Sequence, residues 1–122
     1  MAAVLKDVQP LVEMLREAET RQVEVLRNLV QRLKDAPTDD DEAFTNLFAL
    51  ATEILKRTDT ELAKELSVVR PTIGRWVRGE SRPHALGRKS AFRVLQKLAE
   101  EDARRLSPDR TGLARIRKLE YA

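Results

Sequence analysis

The sequence predicts an all-α fold in which a bundle of short helices follows one long amphipathic helix. Three observations support this prediction. The 122 residues are 42% hydrophobic and 35% charged, with only 4 Gly and 5 Pro, a composition typical of helical proteins. Apolar residues recur every three or four positions, which is the period of an amphipathic helix. Residues 58–79 contain two short helical patterns separated by a tight turn, as in a helix-turn-helix.

The composition also narrows the functional class. No stretch approaches the roughly 18 consecutive apolar residues of a membrane span. The N-terminus lacks the pattern of an export signal, and there is no cysteine, so a cytoplasmic, nucleoid-associated protein is expected. His84, the single histidine, has no cysteine partner, and no glycine-rich phosphate loop occurs. We therefore expect no metal, no cofactor and no enzymatic activity.

Charge is distributed unevenly along the chain. Residues 1–37 are neutral overall, residues 38–66 carry a net charge of −5, and residues 67–122 carry +8. Residues 67–97 contain eight basic side chains and one acidic side chain, Glu80. A basic block of this kind indicates binding to a polyanion, although most charge runs are simply solvated helix faces.

The long helix is predicted over residues 4–35, with Asp7 as its cap and Pro10 in its first turn. Its apolar positions fit a heptad seam of about four repeats. Residues 1–37 are thus predicted to be an arm that dimerises or binds a protein partner. The predicted seam consists of Leu11, Leu15, Ala18, Val25 and Leu29. Packing of the same stripe on the following domain is the alternative.

A second domain is predicted over residues 38–106. Thr38 or Asp39 caps a helix over 41–57, and Thr58 with Glu61 forms a capping box for a short helix. Ser67 begins the turn of the motif, and a second short helix covers 70–77. A final helix covers 85–106 and contributes Leu86 and other apolar residues to the core.

Residues 107–122 form a basic C-terminal tail. Leu113, Ile116 and Leu119 indicate a helical turn, whereas residues 116–121 are equally compatible with an edge strand. Both conformations remain open.

The helix at 70–77 has the residues that a DNA-reading helix requires. Ile73 and Trp76 are predicted to face the core, and the opposite face is available to the major groove. Arg70 and Arg75 have the reach to bind guanine, while Pro71 and Thr72 suit a thymine methyl group. Gly74 leaves the middle of the helix bare. Phosphate contacts are predicted for Arg78, Arg82 and Arg88.

The segments 62–68, 70–73 and 75–83 together resemble the Cro and lambda-repressor (XRE-type) family of helix-turn-helix proteins, over about Phe44 to Leu98. The resemblance implies a lambda-repressor-like domain of five helices that binds operator DNA as a dimer, with its third helix in the major groove. It also implies the base readers Arg70, Pro71, Thr72 and Arg75, and backbone contacts from Asp59, Arg78 and Arg82.

The expected function is therefore that of a dimeric, sequence-specific transcriptional regulator, such as a repressor, which binds a pseudo-palindromic site on double-stranded DNA. The alternative is a protein-interaction module on the same scaffold, such as an anti-activator, an antitoxin or a phage assembly factor. Arg70 and Arg75 favour DNA binding, because an interaction module has no reason to present both at base-reading positions.

Overall fold

The computed structural model describes residues 2–106, with side chains from residue 7 onward, and this part of the chain is built from α-helices without a strand. The all-α prediction is confirmed. Predictions for the tail at 107–122 lie outside the described residues. The helices are α1 (Ala2–Asp35), α2 (Asp41–Leu55), α3 (Asp59–Leu66), α4 (Arg70–Arg78) and α5 (Ala85–Arg105).

The first helix begins earlier than predicted. Because α1 starts at Ala2, Asp7 lies within it and does not cap it, and Pro10 lies beyond the first turn. Proline has no amide hydrogen, so α1 lacks one intrahelical hydrogen bond at Pro10. None of the described helices has both the length and the apolar character that a bilayer crossing requires.

Side-chain caps define where the next two helices start. Asp40, rather than the predicted Thr38 or Asp39, caps α2 by accepting a hydrogen bond of 3.0 Å from the Ala43 amide. The predicted capping box of Thr58 and Glu61 at the start of α3 is confirmed. Such caps satisfy amides that have no partner in the first turn of a helix.

The core joins the C-terminal half of α1 to the helix-turn-helix. Leu29 is only 2% exposed, and α1 packs mainly against α5. The prediction that Leu29 belongs to a dimer seam was therefore wrong, because α5 already covers this part of the apolar stripe of α1. The boundary predicted at residue 37 does not separate two packing units, since one apolar cluster contains residues from both sides of it: Leu26, Leu29, Val30, Leu33, Phe44, Phe48, Leu62, Ile73, Phe92 and Leu95.

An aromatic cluster holds α4 on this core. The indole of Trp76 meets the rings of Phe44 and Phe48 edge-on, with centroids 5.9 and 5.4 Å apart, and Phe44 also packs against Phe92 at 5.3 Å. Edge-to-face aromatic pairs add stabilisation to the area that they bury. The orientation of α4 is thus set through Trp76, as the sequence predicts for this residue.

A buried ion pair connects the loop after α2 to α5. Asp102 is 5% exposed, and its two carboxylate oxygens each accept a hydrogen bond of 2.8 Å from Arg57. Arg105 donates a third hydrogen bond, of 2.9 Å, to the same carboxylate. This bidentate pairing fixes the loop that precedes α3. At the other end of α5, Leu86 is exposed, so the prediction that it joins the core was wrong.

Candidate nucleic-acid interface

The tight turn between α3 and α4 sets the direction of α4. Ser67, which the sequence predicts to begin the turn, ends α3 in the left-handed conformation, with φ of 57°. The Val68 amide then donates to the Ala63 carbonyl at 2.9 Å. Val69 occupies the cap position of α4 without a side-chain hydrogen bond. The chain therefore enters α4 directly from α3, as in a helix-turn-helix.

The two sides of α4 differ in composition. Ile73 and Trp76 are buried, as predicted, and Thr72 is half-buried at the edge of the packed side. The predicted base readers Arg70, Pro71 and Arg75 are all exposed, with Pro71 and Arg75 opposite the packed side and Arg70 at its flank. The structure therefore brings three of the four predicted base readers onto one solvent-facing surface and places Thr72 at its margin.

Arg70 and Arg75 are the arginines of this surface that have no side-chain partner among the described residues. Within residues 7–106, neither side chain takes part in a salt bridge or a side-chain hydrogen bond. An unpaired guanidinium on a helix surface keeps all five of its N–H donors available to an external acceptor. The outer face of α4 therefore presents two free, bidentate hydrogen-bond donors.

Arg78 is also on this face, but it is paired. Its Nε lies 2.8 Å from Glu80 Oε1, and its Nη2 lies 3.2 Å from Glu80 Oε2. The hydrogen bond from Arg78 and its positive charge hold the pKa of Glu80 below its ordinary value. The guanidinium also folds back over Gly74, where an added Cβ would lie 2.8 Å from Arg78 Nη1. The bare surface predicted at Gly74 is thus covered by Arg78.

The turn at the end of α4 brings Glu80 to Arg78. Gly79 adopts a left-handed conformation with φ of 74°, which costs glycine little because it has no Cβ. The Glu80 amide donates to the Arg75 carbonyl at 2.9 Å, and the Gly79 amide donates to the Trp76 carbonyl at 3.2 Å. These two bonds close the helix end as a Schellman motif, and they direct the chain back along α4.

The residues predicted to contact phosphates have different environments. Asp59 is exposed at the start of α3 and is close enough to contribute to the raised pKa of Arg78. Arg82 is exposed, but its Nε donates to Thr45 Oγ1 at 3.1 Å, and its Nη1 lies 3.8 Å from Asp41 Oδ2. Arg82 therefore has only part of its guanidinium free for a phosphate.

Arg88 is part of the scaffold. Its side chain is only 11% exposed, and it donates to the Pro83 carbonyl at 2.8 Å and the Thr38 carbonyl at 3.1 Å. It also forms an ion pair with Asp41. The prediction that Arg88 binds a phosphate was wrong, because these contacts use its donors to join the start of α5 to the start of α2.

Most of the predicted seam on α1 is exposed. Leu11 is 60% exposed and Leu15 is 54% exposed, and Ala18 and Val25 are exposed as well. Met14 adds a further exposed apolar side chain beside them. Exposed apolar residues at this spacing form a stripe along one helix, which is the kind of surface that a partner helix covers.

Three features of α4 and of the residues that hold it in place were not predicted from the sequence. Val69 is 68% exposed and precedes Arg70, so it places an apolar side chain at the N-terminal end of α4, next to the predicted base readers. Its only sequence signal was the absence of a capping residue. The pairing of Arg78 with Glu80 had a signal, because Glu80 is the single acidic residue among residues 67–97. The Arg57–Asp102 pair joins residues 45 positions apart, and its only signal was an aspartate on the apolar face of α5.

Comparisons of the chain with protein-family models, with curated proteins and with solved structures find no match. Among residues 7–106, no group of three or more His, Asp and Glu side chains is arranged to hold a metal ion. A groove of about 600 Å³ lies between α1 and α2 and is lined by Asn28, Arg32, Leu47 and Leu50 among others.

Proposed function

We propose that this protein is a sequence-specific DNA-binding regulator that inserts α4 into the major groove. The observation that carries the proposal is the outer face of α4, where Arg70 and Arg75 are exposed and unpaired within the described residues. Arginine is the side chain that most commonly binds guanine, through the O6 and N7 atoms of the base edge. A short helix that carries two such arginines is suited to reading a base sequence.

The remaining exposed residues of this region support the same role. Pro71 and Val69 are exposed beside Arg70 and suit contact with a thymine methyl group, and Thr72 lies at the edge of the same surface. Arg82 lies beyond the C-terminal end of α4, where it suits a phosphate. At Asp59 the backbone amide at the start of α3 suits a phosphate, whereas the side-chain carboxylate repels one. A binding role of this kind requires neither catalysis nor a cofactor.

We also propose that the protein binds DNA as a homodimer, through the exposed seam of Leu11, Leu15, Ala18 and Val25 on α1. A two-fold dimer presents two copies of α4 and so reads a pseudo-palindromic site. Leu15→Glu tests the seam, because a charge at its centre disfavours pairing. We expect a shift from dimer to monomer by light scattering, and no shift for Leu86→Glu, which changes an exposed leucine on α5. A monomeric wild-type protein would contradict the dimer.

Selection from a random double-stranded DNA library by the full chain tests the DNA-binding function. We expect a motif made of two inverted half-sites about 10 bp apart, one helical turn of DNA. Genome-wide capture of crosslinked protein should then give sharp peaks that contain this motif. Selection of no motif, together with diffuse or absent enrichment, would contradict sequence-specific binding.

A second candidate function is that of a protein-interaction module. The exposed apolar residues of α1 favour it, as does the groove between α1 and α2, where Leu50 is also exposed. In this case α1 would grip another protein, such as a regulator, a toxin or an assembling phage component. The two functions differ in which variants matter: Arg75→Ala would leave such a module intact, whereas Leu15→Glu would disrupt it.

A further inference from the structure

We propose that Arg78 is a third base-reading residue, specific for guanine, and that Glu80 and Gly74 position it for that role. This inference rests on the proposed DNA-binding function. It changes the expected role of Arg78 from a phosphate contact, which carries no sequence information, to a specificity determinant.

The position of Arg78 on α4 is the first argument. Successive residues of an α-helix are about 100° apart around the axis. Position 78 therefore lies about 40° from position 74 and between positions 70 and 75, at the middle of the exposed face. Arg70 and Arg75 lie on either side of it. A side chain at the middle of this face points at the base edges when the helix lies in the major groove, and long side chains such as arginine at its flanks reach them as well.

The guanidinium edge left free by Glu80 is the second argument. Glu80 accepts hydrogen bonds from Nε and Nη2 of Arg78. Of the five N–H donors of arginine, this pairing leaves both on Nη1 and one on Nη2. These donors lie along the end of the guanidinium, and they match the two acceptors O6 and N7 of guanine. Glu80 thus fixes a side chain that is 60% exposed, and it leaves three of the guanidinium donors without a hydrogen bond to Glu80.

Gly74 supplies the space for this conformation. The guanidinium of Arg78 folds back over residue 74, and its Nη1 is 2.8 Å from where a Cβ would stand. Any larger residue at position 74 would displace the guanidinium from the middle of the face. A glycine within a short helix lowers helix propensity, and the close approach of Arg78 is a physical reason for having one here.

The surrounding charges favour a base over a phosphate as the ligand of Arg78. Glu80 is ionised beside the guanidinium, and Asp59 is a second carboxylate near it. A phosphate at Arg78 would meet these two negative charges, and the attraction of the arginine would be largely offset. The acceptors on a guanine edge carry no net charge, so the carboxylates do not exclude them.

Selection from the same random DNA library, with the wild-type chain and four variants, tests this inference. Arg78→Ala is expected to reduce the preference for guanine at one position of each half-site by about 5- to 150-fold. Glu80→Gln and Gly74→Ala are expected to reduce the preference at that same position by a smaller factor. Glu53→Gln, which removes an equal charge from the surface of α2, should leave the motif unchanged. Thermal unfolding of each variant confirms that it is folded.

Two results would overturn the inference, the first for Arg78 and the second for the positioning role of Glu80, and both leave the proposed function standing. One is a wild-type motif that Arg78→Ala preserves at every position while affinity falls equally on all sequences, as for a phosphate contact. The other is a Glu80→Gln variant that binds every sequence more tightly with an unchanged motif, which would make Glu80 a repulsive surface charge only. If the wild-type chain selects no motif at all, the proposed function itself fails and the role of Arg78 fails with it.

Discussion

Two groups of arginines in this protein have opposite environments. Arg57 and Arg88 are largely buried and bind Asp102 and Asp41, respectively. Arg70 and Arg75 are exposed on α4 and form no ion pair within residues 7–106. The first group joins helices to one another, and the second is available to an external ligand. The role of an arginine is thus set by the carboxylates that tertiary structure brings to it.

The largest effect is expected where this internal pairing is broken. Asp102→Ala leaves Arg57 partly buried without its partner, and we expect the free energy of unfolding to fall by about 3 kcal/mol. Urea denaturation measures the change. In the double variant Asp102→Leu with Arg57→Met no buried charge is left unpaired, since Arg105 is exposed, so a smaller loss is expected. If Asp102→Ala changes the free energy of unfolding by less than about 0.5 kcal/mol, the Arg57–Asp102 pair contributes no more to stability than a surface residue does.

The second prediction concerns the exposed group. Arg75→Ala should weaken binding to the selected DNA site by about 1–3 kcal/mol and spare binding to unrelated DNA. The free energy of unfolding should change by less than about 0.5 kcal/mol, because the side chain is exposed. Fluorescence anisotropy with matched and scrambled duplexes measures both affinities. Arg93→Ala, which removes an exposed arginine from α5, is the control for charge, and equal losses on both duplexes would assign Arg75 to a phosphate.

Much of the fold follows from local sequence signals. The capping box at Thr58 and Glu61, the turn at Ser67 and the packed side of α4 with Ile73 and Trp76 were all predicted. Each depends on residues within a few positions of one another. The start of α1 was predicted too late, because Asp7 is chemically able to cap a helix. The cap of α2 was misplaced, because several consecutive residues before α2 are able to cap it.

Interactions between distant segments could not be predicted in the same way. The heptad pattern of α1 identifies a stripe that must be covered, and it does not say whether a second copy or α5 covers it. The structure divides the stripe, with Leu29 buried against the core and Leu15 exposed. Charge counting likewise identified the basic block at 67–97, but it could not separate Arg88 from Arg75, since Asp41 lies 47 residues from Arg88 in sequence.

The third prediction concerns Arg88 and tests directly whether it acts in the fold, as Arg57 does, or in DNA binding. Arg88→Met keeps the apolar stem but removes the hydrogen bonds to Thr38, Pro83 and Asp41. We expect a loss of about 1–2 kcal/mol in the free energy of unfolding and no change in DNA affinity while the protein is folded. A phosphate contact would give the opposite pattern: weaker binding to all DNA, and a salt dependence whose slope decreases by about one.

The smallest effect on the free energy of unfolding is expected at Gly74. It concerns Arg78, the arginine that belongs to neither of the two groups. Arg78 is paired with a carboxylate, as Arg57 is, and exposed, as Arg75 is. Gly74→Ala should raise the free energy of unfolding by about 0.5–1 kcal/mol, because alanine favours helix, and the exposed guanidinium is free to move away from the new Cβ. Urea denaturation measures the gain, and Ala85→Gly, at the exposed start of α5, supplies the reverse exchange. A less stable Gly74→Ala variant would show instead that the folded-back conformation of Arg78 contributes to the stability of α4, and Arg78 would then belong with the structural arginines.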